Sequence, residues 1–240
     1  MPPNAVTSAA SVCDTYPIPL DAAALPATWN AAGLLLGRTA PTGLLPELMA
    51  AWSEPHRHYH DQRHLGECMA LWTRWREHCS RAGEVAIALW FHDAIYDPRD
   101  AGNELNSAGW AARSLTRAGA DSDTVQRVHD LVMTTQHGAP ATTVFEQDGP
   151  NPEGSNVDER LLVDIDLAIL GSSAERFERY DQDVRKEYAW VQGYGYQEAR
   201  AQVLRSFLHR PRLYHTKVAV APLERPARTN LAAALSRLAQ

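Results

Sequence analysis

The sequence predicts an all-α protein that folds as a single compact multi-helix bundle. From Asp21 onward, apolar residues recur at helical spacing, and no stretch of alternating β-branched residues persists. The 240 residues suffice for one substantial core, and contents of 45% hydrophobic and 22% charged residues are typical of globular proteins. No repeat with a period of roughly 20 to 50 residues is visible, so a solenoid is not indicated.

The apolar periodicity divides the chain into ten predicted helices. Residues 1–20 are rich in Ala, Ser, Pro and Thr without periodicity, and we expect them to form a loose leader outside the fold. The helical domain then comprises residues 21–240, with one long loop near 138–157, where proline, glycine and polar residues concentrate. The predicted helices span residues 22–37, 43–53, 60–80, 83–96, 103–118, 122–137, 158–170, 173–190, 195–209 and 222–238.

Composition excludes several classes of protein. A net charge of −6 gives no general attraction to nucleic-acid backbones or anionic lipids, so an anionic ligand must meet a local cationic group. The three cysteines form no CxxC pair, which argues against a disulfide framework or a cysteine zinc site. No signal peptide and no membrane-spanning apolar run is visible. We expect a cytoplasmic protein without bulk nucleic-acid binding, and homo-oligomerisation stays open.

A pair of histidines opens the third predicted helix. His60 and His64 are four residues apart and would project from one helix face. Their neighbours on that face, Cys68, Leu71 and Trp75, are apolar. The two histidines are either metal ligands or residues whose hydrogen bonds are satisfied at the edge of a helix.

Two later segments place ionisable residues in apolar surroundings. His92 and Asp93 follow the run Val85–Phe91, which is apolar on all sides, and Asp164 and Asp166 interrupt the apolar string LLVDIDLAIL. A buried carboxylate is costly unless it is paired or binds a cation. A divalent ion (Mn, Fe, Co, Ni, Zn or Mg) would explain both segments, with hydrogen bonds to the backbone as the alternative. Residues two apart point to different helix faces, so at most one of the two later aspartates should meet the ion.

Together these motifs resemble the HD superfamily of metal-dependent phosphohydrolases, and in particular a bacterial group of predicted HD phosphohydrolases. The likeness covers roughly residues 29–238 and lies in the strings RHYHDQRH, WFHDAIYDPRDAGNELNSA, DIDLAILG, YDQDVRKEY and ERPARTNL. It implies an HD-domain helical bundle, a divalent metal ion and hydrolysis of a phosphoric ester by a metal-activated water. The sequence lacks the motifs of the guanosine-tetraphosphate hydrolases and of the cyclic-dinucleotide phosphodiesterases. It also contains no GxSxG or GxxxxGK[ST] motif.

The resemblance also assigns roles to individual residues. His64 matches the first family histidine better than His60 does. Asp164 is preferred to Asp166 as the final aspartate, because it follows an apolar residue as in other HD proteins. The metal-ligand candidates are thus His60, His64, His92, Asp93, Asp164 and Asp166. HD enzymes often have a further group for proton transfer near the metal, for which the candidates are Asp97, Glu104 and His137.

A phosphorylated substrate needs cationic partners. Arg185 stands beside a tyrosine and valine stripe in YDQDVRKEY, where its guanidinium could bind a phosphate through two bonds, unless it pairs with nearby acids. Arg200 and Arg228 are further candidates. The expected function is a phosphomonoesterase or phosphodiesterase acting on a small phosphorylated metabolite, with nucleotides favoured. The alternatives are an HD-fold di-iron oxygenase, with His129 and His137 as extra ligands, and a non-catalytic HD domain that binds a nucleotide.

Overall fold

The computed structural model describes residues 16–136 and 157–239, and all regular secondary structure in these ranges is helical. This confirms the predicted all-α class. No helix within these ranges combines the length and apolar character needed to cross a bilayer. Short 3-10 segments, Arg76–His78 and Leu167–Gly171, follow α3 and α7. The helices are α1 (Leu25–Leu36), α2 (Leu44–Ala51), α3 (Gln62–Trp75), α4 (Ala82–Phe91), α5 (Asn103–Arg117), α6 (Ser122–Met133), α7 (Val157–Asp166), α8 (Ala174–Glu187), α9 (Gly193–His209) and α10 (Lys217–Leu238).

Helix α4 lies at the centre of the bundle. All residues of Gly83–Phe91 are buried, as the apolar run predicts, and the helix contacts α1, α3, α5, α6 and α7. The predicted continuation to residue 96 is wrong, because His92 and Asp93 lie in the turn that follows the helix. The buried side chain of Arg57 binds the carbonyl oxygens of Asp93 and Ala94. These contacts hold the chain in the turn that leaves α4.

Helix α3 begins later than the apolar pattern predicts. The carboxylate of Asp61 accepts hydrogen bonds from the backbone N–H groups of Arg63 (2.8 Å) and His64 (3.3 Å), which is the geometry of an N-cap. His64 therefore lies in the first turn of α3, whereas His60 precedes the helix. The two histidines do not share one helix face as predicted.

Helix α10 begins at Lys217, before the predicted start at residue 222, and contains two prolines. The turn leading into it is held by a residue far away in the sequence. Asp164 of α7 accepts hydrogen bonds from the backbone N–H groups of His215 (2.8 Å) and Thr216 (2.7 Å) and from the Thr216 hydroxyl (2.6 Å). A local pattern cannot reveal a contact between residues 52 positions apart, so the sequence places the start too late.

Part of the predicted leader belongs to the fold. Tyr16 and Leu20 pack against the core, and the backbone N–H of Leu20 donates to the carbonyl of Gly66 in α3 (3.2 Å). A Cβ atom on Gly66 would overlap with the carbonyl of Leu20, so the two backbones approach closely only because residue 66 is glycine. The expected boundary at residue 20 is corrected accordingly. Residues 1–15 and most of the predicted loop near 138–157 lie outside the described residues.

We expect Gly66→Ala to lower the free energy of unfolding by about 1–3 kcal/mol, because the added methyl group forces the Tyr16–Leu20 segment away from α3. Gly109→Ala in α5 is the matched control, since its new Cβ meets only the flexible end of Arg113. That substitution should raise stability by about 0.5–1 kcal/mol through helix propensity. Urea unfolding of both variants measures the difference, and equal stabilities would contradict the close approach.

Candidate metal centre

Four side chains converge where α3, the turn after α4 and the end of α7 meet. They are His64, His92, Asp93 and Asp166, named here the cluster. The Nε2 atom of His64 lies 3.1 Å from Nε2 of His92 and 3.2 Å from Oδ1 of Asp166. The Nε2 atom of His92 lies 3.1 Å from Oδ2 of Asp93 and 3.5 Å from Oδ1 of Asp166. Sequence positions spread over three helices thus meet at one point.

The two imidazoles of the cluster turn their Nε2 atoms towards each other. Nδ1 of His92 lies 2.8 Å from the carbonyl oxygen of Leu89, which can only accept, so Nδ1 carries the proton and Nε2 of the neutral ring presents a lone pair. Both rings are buried, and the rings of Trp52 and Tyr59 pack against them. Imidazole nitrogens and carboxylate oxygens facing one point form a donor set suited to a divalent cation.

The charged groups of the cluster strongly shift one another's pKa values. Burial lowers the pKa of His92, but the carboxylates of Asp93 and Asp166 reverse this effect and raise that pKa well above its ordinary value. Burial raises the pKa of Asp93, but the charge and hydrogen bond of His92 outweigh it and lower that pKa. The carboxylates thus attract positive charge, either a proton on His92 or a divalent cation that would displace the proton.

A second donor set replaces Asp93 with the thiol of Cys68. Its ligand atoms, from His64, Cys68, His92 and Asp166, all lie within 4.8 Å of one another. However, Sγ of Cys68 is 3.8 Å from both ring nitrogens of His64. An atom equidistant from both nitrogens lies away from the direction of the Nε2 lone pair. Burial also raises the pKa of the Cys68 thiol well above its usual range, which disfavours the thiolate that binds metals. We therefore favour the set that contains Asp93.

Asp164 does not belong to the cluster, which corrects the sequence preference. Its buried carboxylate is occupied by the turn at His215 and Thr216. Burial raises the pKa of Asp164 to about 7, although the hydrogen bonds from Thr216 and His215 act in the opposite direction. Asp164 and Asp166 face different sides of α7, as their spacing predicts, and Asp166 faces the histidines. The sequence preference for Asp164 is based on the apolar residue before it, and that residue does not determine which side of α7 an aspartate faces.

His60 lies beside the cluster and contacts a different carboxylate. Its Nδ1 atom is 2.7 Å from Oε2 of Glu187, and its ring stacks on Tyr96 with centroids 4.2 Å apart. Burial lowers the pKa of His60, but the charge of Glu187 and its hydrogen bond reverse this effect and raise it. Burial likewise raises the pKa of Glu187, but His60 and backbone N–H groups lower it to about 2. His60 is therefore outside the donor set of the cluster.

Two residues that order the site were not predicted. Arg57 donates to the carbonyl oxygens of His60 (2.9 Å) and Asp93 (2.7 Å), and so fixes the segment before α3 against the turn after α4. Glu187 accepts hydrogen bonds from the backbone N–H groups of residues 58–60 at 2.7–3.0 Å and from the Tyr96 hydroxyl at 2.9 Å. Both residues lie in strings that carry the HD resemblance, which was the only sequence signal for them.

Two of the three predicted proton-transfer residues, Asp97 and Glu104, are not part of the cluster. Asp97 lies in an exposed turn and accepts a hydrogen bond from the backbone N–H of Arg99. Asp97 also lines a cavity of about 600 Å³, together with Tyr96, Glu187 and other residues. Glu104 lies in the first turn of α5. The third residue, His137, lies outside the described residues.

The three arginines predicted to bind substrate make other contacts. Arg185 donates to the carbonyl of residue 188 (2.8 Å) and stacks on a tyrosine of α9 at 4.3 Å. Arg200 forms an ion pair with Asp181 (2.8 Å), and Arg228 forms one with Glu224 (2.8 Å). These contacts join helices α8, α9 and α10 or the loops between them, so none of the arginines is held facing the cluster.

We expect Asp93→Ala to weaken metal binding by more than the roughly 10- to 100-fold that loss of an outer partner costs, because it removes a direct donor. Cys68→Ala is the control and should keep stoichiometric metal. Metal content after dialysis against each divalent ion measures both variants. Loss of metal from the cysteine variant, with retention in the aspartate variant, would reverse the choice between the donor sets.

Asp166→Asn and Asp164→Asn should have opposite effects. Asp166→Asn should lose metal affinity while the metal-free protein keeps its stability, because a charge is removed from a buried cluster. Asp164→Asn should keep its metal but lose about 1–3 kcal/mol of unfolding free energy, because an amide NH2 group then faces hydrogen-bond donors. Calorimetric metal titration and thermal unfolding separate the two effects. The opposite outcome would return Asp164 to the ligand set.

Comparison of the chain with protein-family models, curated protein sequences and solved structures gives no match. The resemblance to HD enzymes therefore stays a prediction from motifs. Independently of it, the structure contains a group of side chains that could hold a metal ion, formed by His64, Cys68, His92 and Asp166.

Proposed function

We propose that this protein is a cytoplasmic, metal-dependent phosphohydrolase that cleaves a small phosphorylated metabolite. The observation that carries the proposal is the convergence of His64, His92, Asp93 and Asp166, with nitrogen and oxygen atoms 3.1–3.5 Å apart. The motif resemblance supports the same conclusion, because its first histidine, its His-Asp pair and one of its two candidate aspartates are the cluster residues.

A divalent cation fits this donor set. Carboxylates that are largely shielded from solvent need a compensating charge, and two imidazoles with two carboxylates suit borderline ions such as Mn, Fe, Co, Ni or Zn, with Mg as the harder alternative. When bound, such a cation supplies an activated water and neutralises charge on a phosphoryl group. His64, His92, Asp93 and Asp166 would hold it, while the carbonyl of Leu89 fixes the tautomer of His92.

The surroundings of the cluster limit how a substrate can approach. The side chains of His64 and His92 are only 2% and 1% exposed, whereas those of Asp93 and Asp166 are 15% and 11% exposed. The cluster therefore opens to solvent on its carboxylate side, and the substrate would enter there. Water as the nucleophile requires no serine or cysteine, which agrees with a buried Cys68 thiol whose pKa is raised. We favour a phosphate monoester or diester, with nucleotides as the first class to test.

The di-iron oxygenase alternative needs two more histidines at the cluster. His129 lies on α6 with its Nδ1 atom 3.2 Å from Asp130 and is not part of the cluster. His137 lies outside the described residues. No observation favours this chemistry, and we propose hydrolysis alone.

The proposal is tested by stripping the purified protein with a chelator and reloading it with Mn2+, Fe2+, Co2+, Ni2+, Zn2+ or Mg2+. Phosphate release from nucleoside monophosphates and other phosphorylated metabolites is then measured without oxygen. We expect metal-dependent release that is lost in His92→Ala and kept in the control His129→Ala. Equal release by His92→Ala, or wild-type protein that binds none of these ions, would contradict the proposal.

A further inference from the structure

We propose that His60 binds the phosphoryl group of the substrate, and that Glu187 is the positioning residue that holds His60 for this contact. The inference rests on the proposed function, because it concerns the anion that would meet the metal site. The three arginines expected in this role are engaged elsewhere. His60 is a hydrogen-bonding group that lies beside the cluster instead.

The two nitrogens of His60 have different surroundings. Nδ1 lies 2.7 Å from Oε2 of Glu187, and a carboxylate can only accept, so Nδ1 carries a proton. Nε2 has no hydrogen-bond partner in the part of the chain that the structure describes. The His60 side chain keeps 22% exposure, whereas that of Glu187 keeps none. One nitrogen is thus fixed on the buried side, and the other is available to a ligand.

The position of this ring is fixed from several directions. Besides His60, Glu187 binds three backbone N–H groups, those of residues 58–60, and the hydroxyl of Tyr96. Tyr96 also stacks on the His60 ring, with an interplanar angle of 28°. Arg57 binds the carbonyl oxygen of His60 from a third direction. Such preorganisation reduces the entropy lost when a ring contacts a ligand. A surface histidine with no ligand would not need it.

The ring also lies where a phosphoryl group would come. Its centroid is 6.0 Å from that of His64 in the cluster. The carboxylates of Asp93 and Asp166 are also near enough to contribute to the raised pKa of His60. No ion pair shorter than 4.0 Å joins His60 to either carboxylate among the described residues, so His60 stands beside the donor set. Tyr96 and Glu187, which contact His60, line the cavity of about 600 Å³, which is large enough for the rest of a small molecule.

The contact is tested with inorganic phosphate as the probe, titrated by calorimetry into the full-length protein loaded with Mn2+. His60→Gln should weaken phosphate binding at least about tenfold, as expected for loss of a charge-assisted hydrogen bond, while Mn2+ content and thermal unfolding stay unchanged. His58→Gln is the matched control. His58 lies two residues before His60, and its exposed side chain makes no hydrogen bond, ion pair or ring contact among the described residues, so phosphate binding should not change.

The positioning role of Glu187 has a spectroscopic test. Nitrogen-proton NMR of the histidine rings should show a protonated Nδ1 for His60, identified by its loss in His60→Gln. Glu187→Gln should shift this signal and weaken phosphate binding while Mn2+ content is kept. Tyr96→Phe removes only one hydrogen bond to Glu187 and should produce the same changes to a smaller degree, so it replaces Glu187→Gln if that variant fails to fold. An unchanged signal with unchanged binding in the folded variant would overturn the role.

Three further outcomes would overturn the proposed role of His60. If His60→Gln binds phosphate as tightly as the wild type, the proposal for His60 is overturned and the metal-dependent hydrolase stands. If His60→Gln loses Mn2+, His60 is itself a ligand and the proposal is again overturned. If the wild-type protein holds neither Mn2+ nor phosphate, the proposed function fails, and the role of His60 fails with it.

Discussion

The meeting of two buried imidazoles and two partly exposed carboxylates among apolar helices is the constraint on which the structure around the site depends. His64 comes from α3, His92 and Asp93 from the turn after α4, and Asp166 from the end of α7, so none of these elements can shift without separating the groups. Helix α4 ends at Phe91, so that His92 and Asp93 lie in the turn that brings them to the cluster. If the helix continued past Phe91, the geometry of the His-Asp pair would change and the carbonyl groups now held by Arg57 would lose that partner.

Buried carboxylates also hold three loops that lead into helices, and in these three cases the partner is distant in sequence. Asp158 accepts from the backbone N–H groups of residues 80 and 81 before α4, and Asp164 accepts from residues 215 and 216 before α10. Glu187 accepts from residues 58–60 before α3. Backbone groups outside helices need such partners when they are buried. The carboxylates of Asp93 and Asp166 differ, because they face the imidazole nitrogens of His64 and His92.

Much of this arrangement follows from local sequence patterns, and the remainder depends on contacts across the fold. Apolar periodicity predicts the helices and the complete burial of α4, and charged residues inside apolar runs indicate the segments that meet at the cluster. The choice between Asp164 and Asp166 depends on which neighbour lies on each side of α7, which no local pattern contains. The same holds for Arg185, which looks like a phosphate ligand until its stacking partner in α9 is known.

The proposed function depends on a divalent cation bound by two imidazole nitrogens and two carboxylate oxygens. A crystal structure of the Zn2+-loaded protein, recorded at the zinc absorption edge, tests it most directly. We expect one anomalous peak bonded to His64, His92, Asp93 and Asp166, with nitrogen and oxygen ligands at about 2.0–2.2 Å. A peak bonded to Asp164, a sulfur ligand at about 2.3 Å, or no peak within the cluster would contradict it.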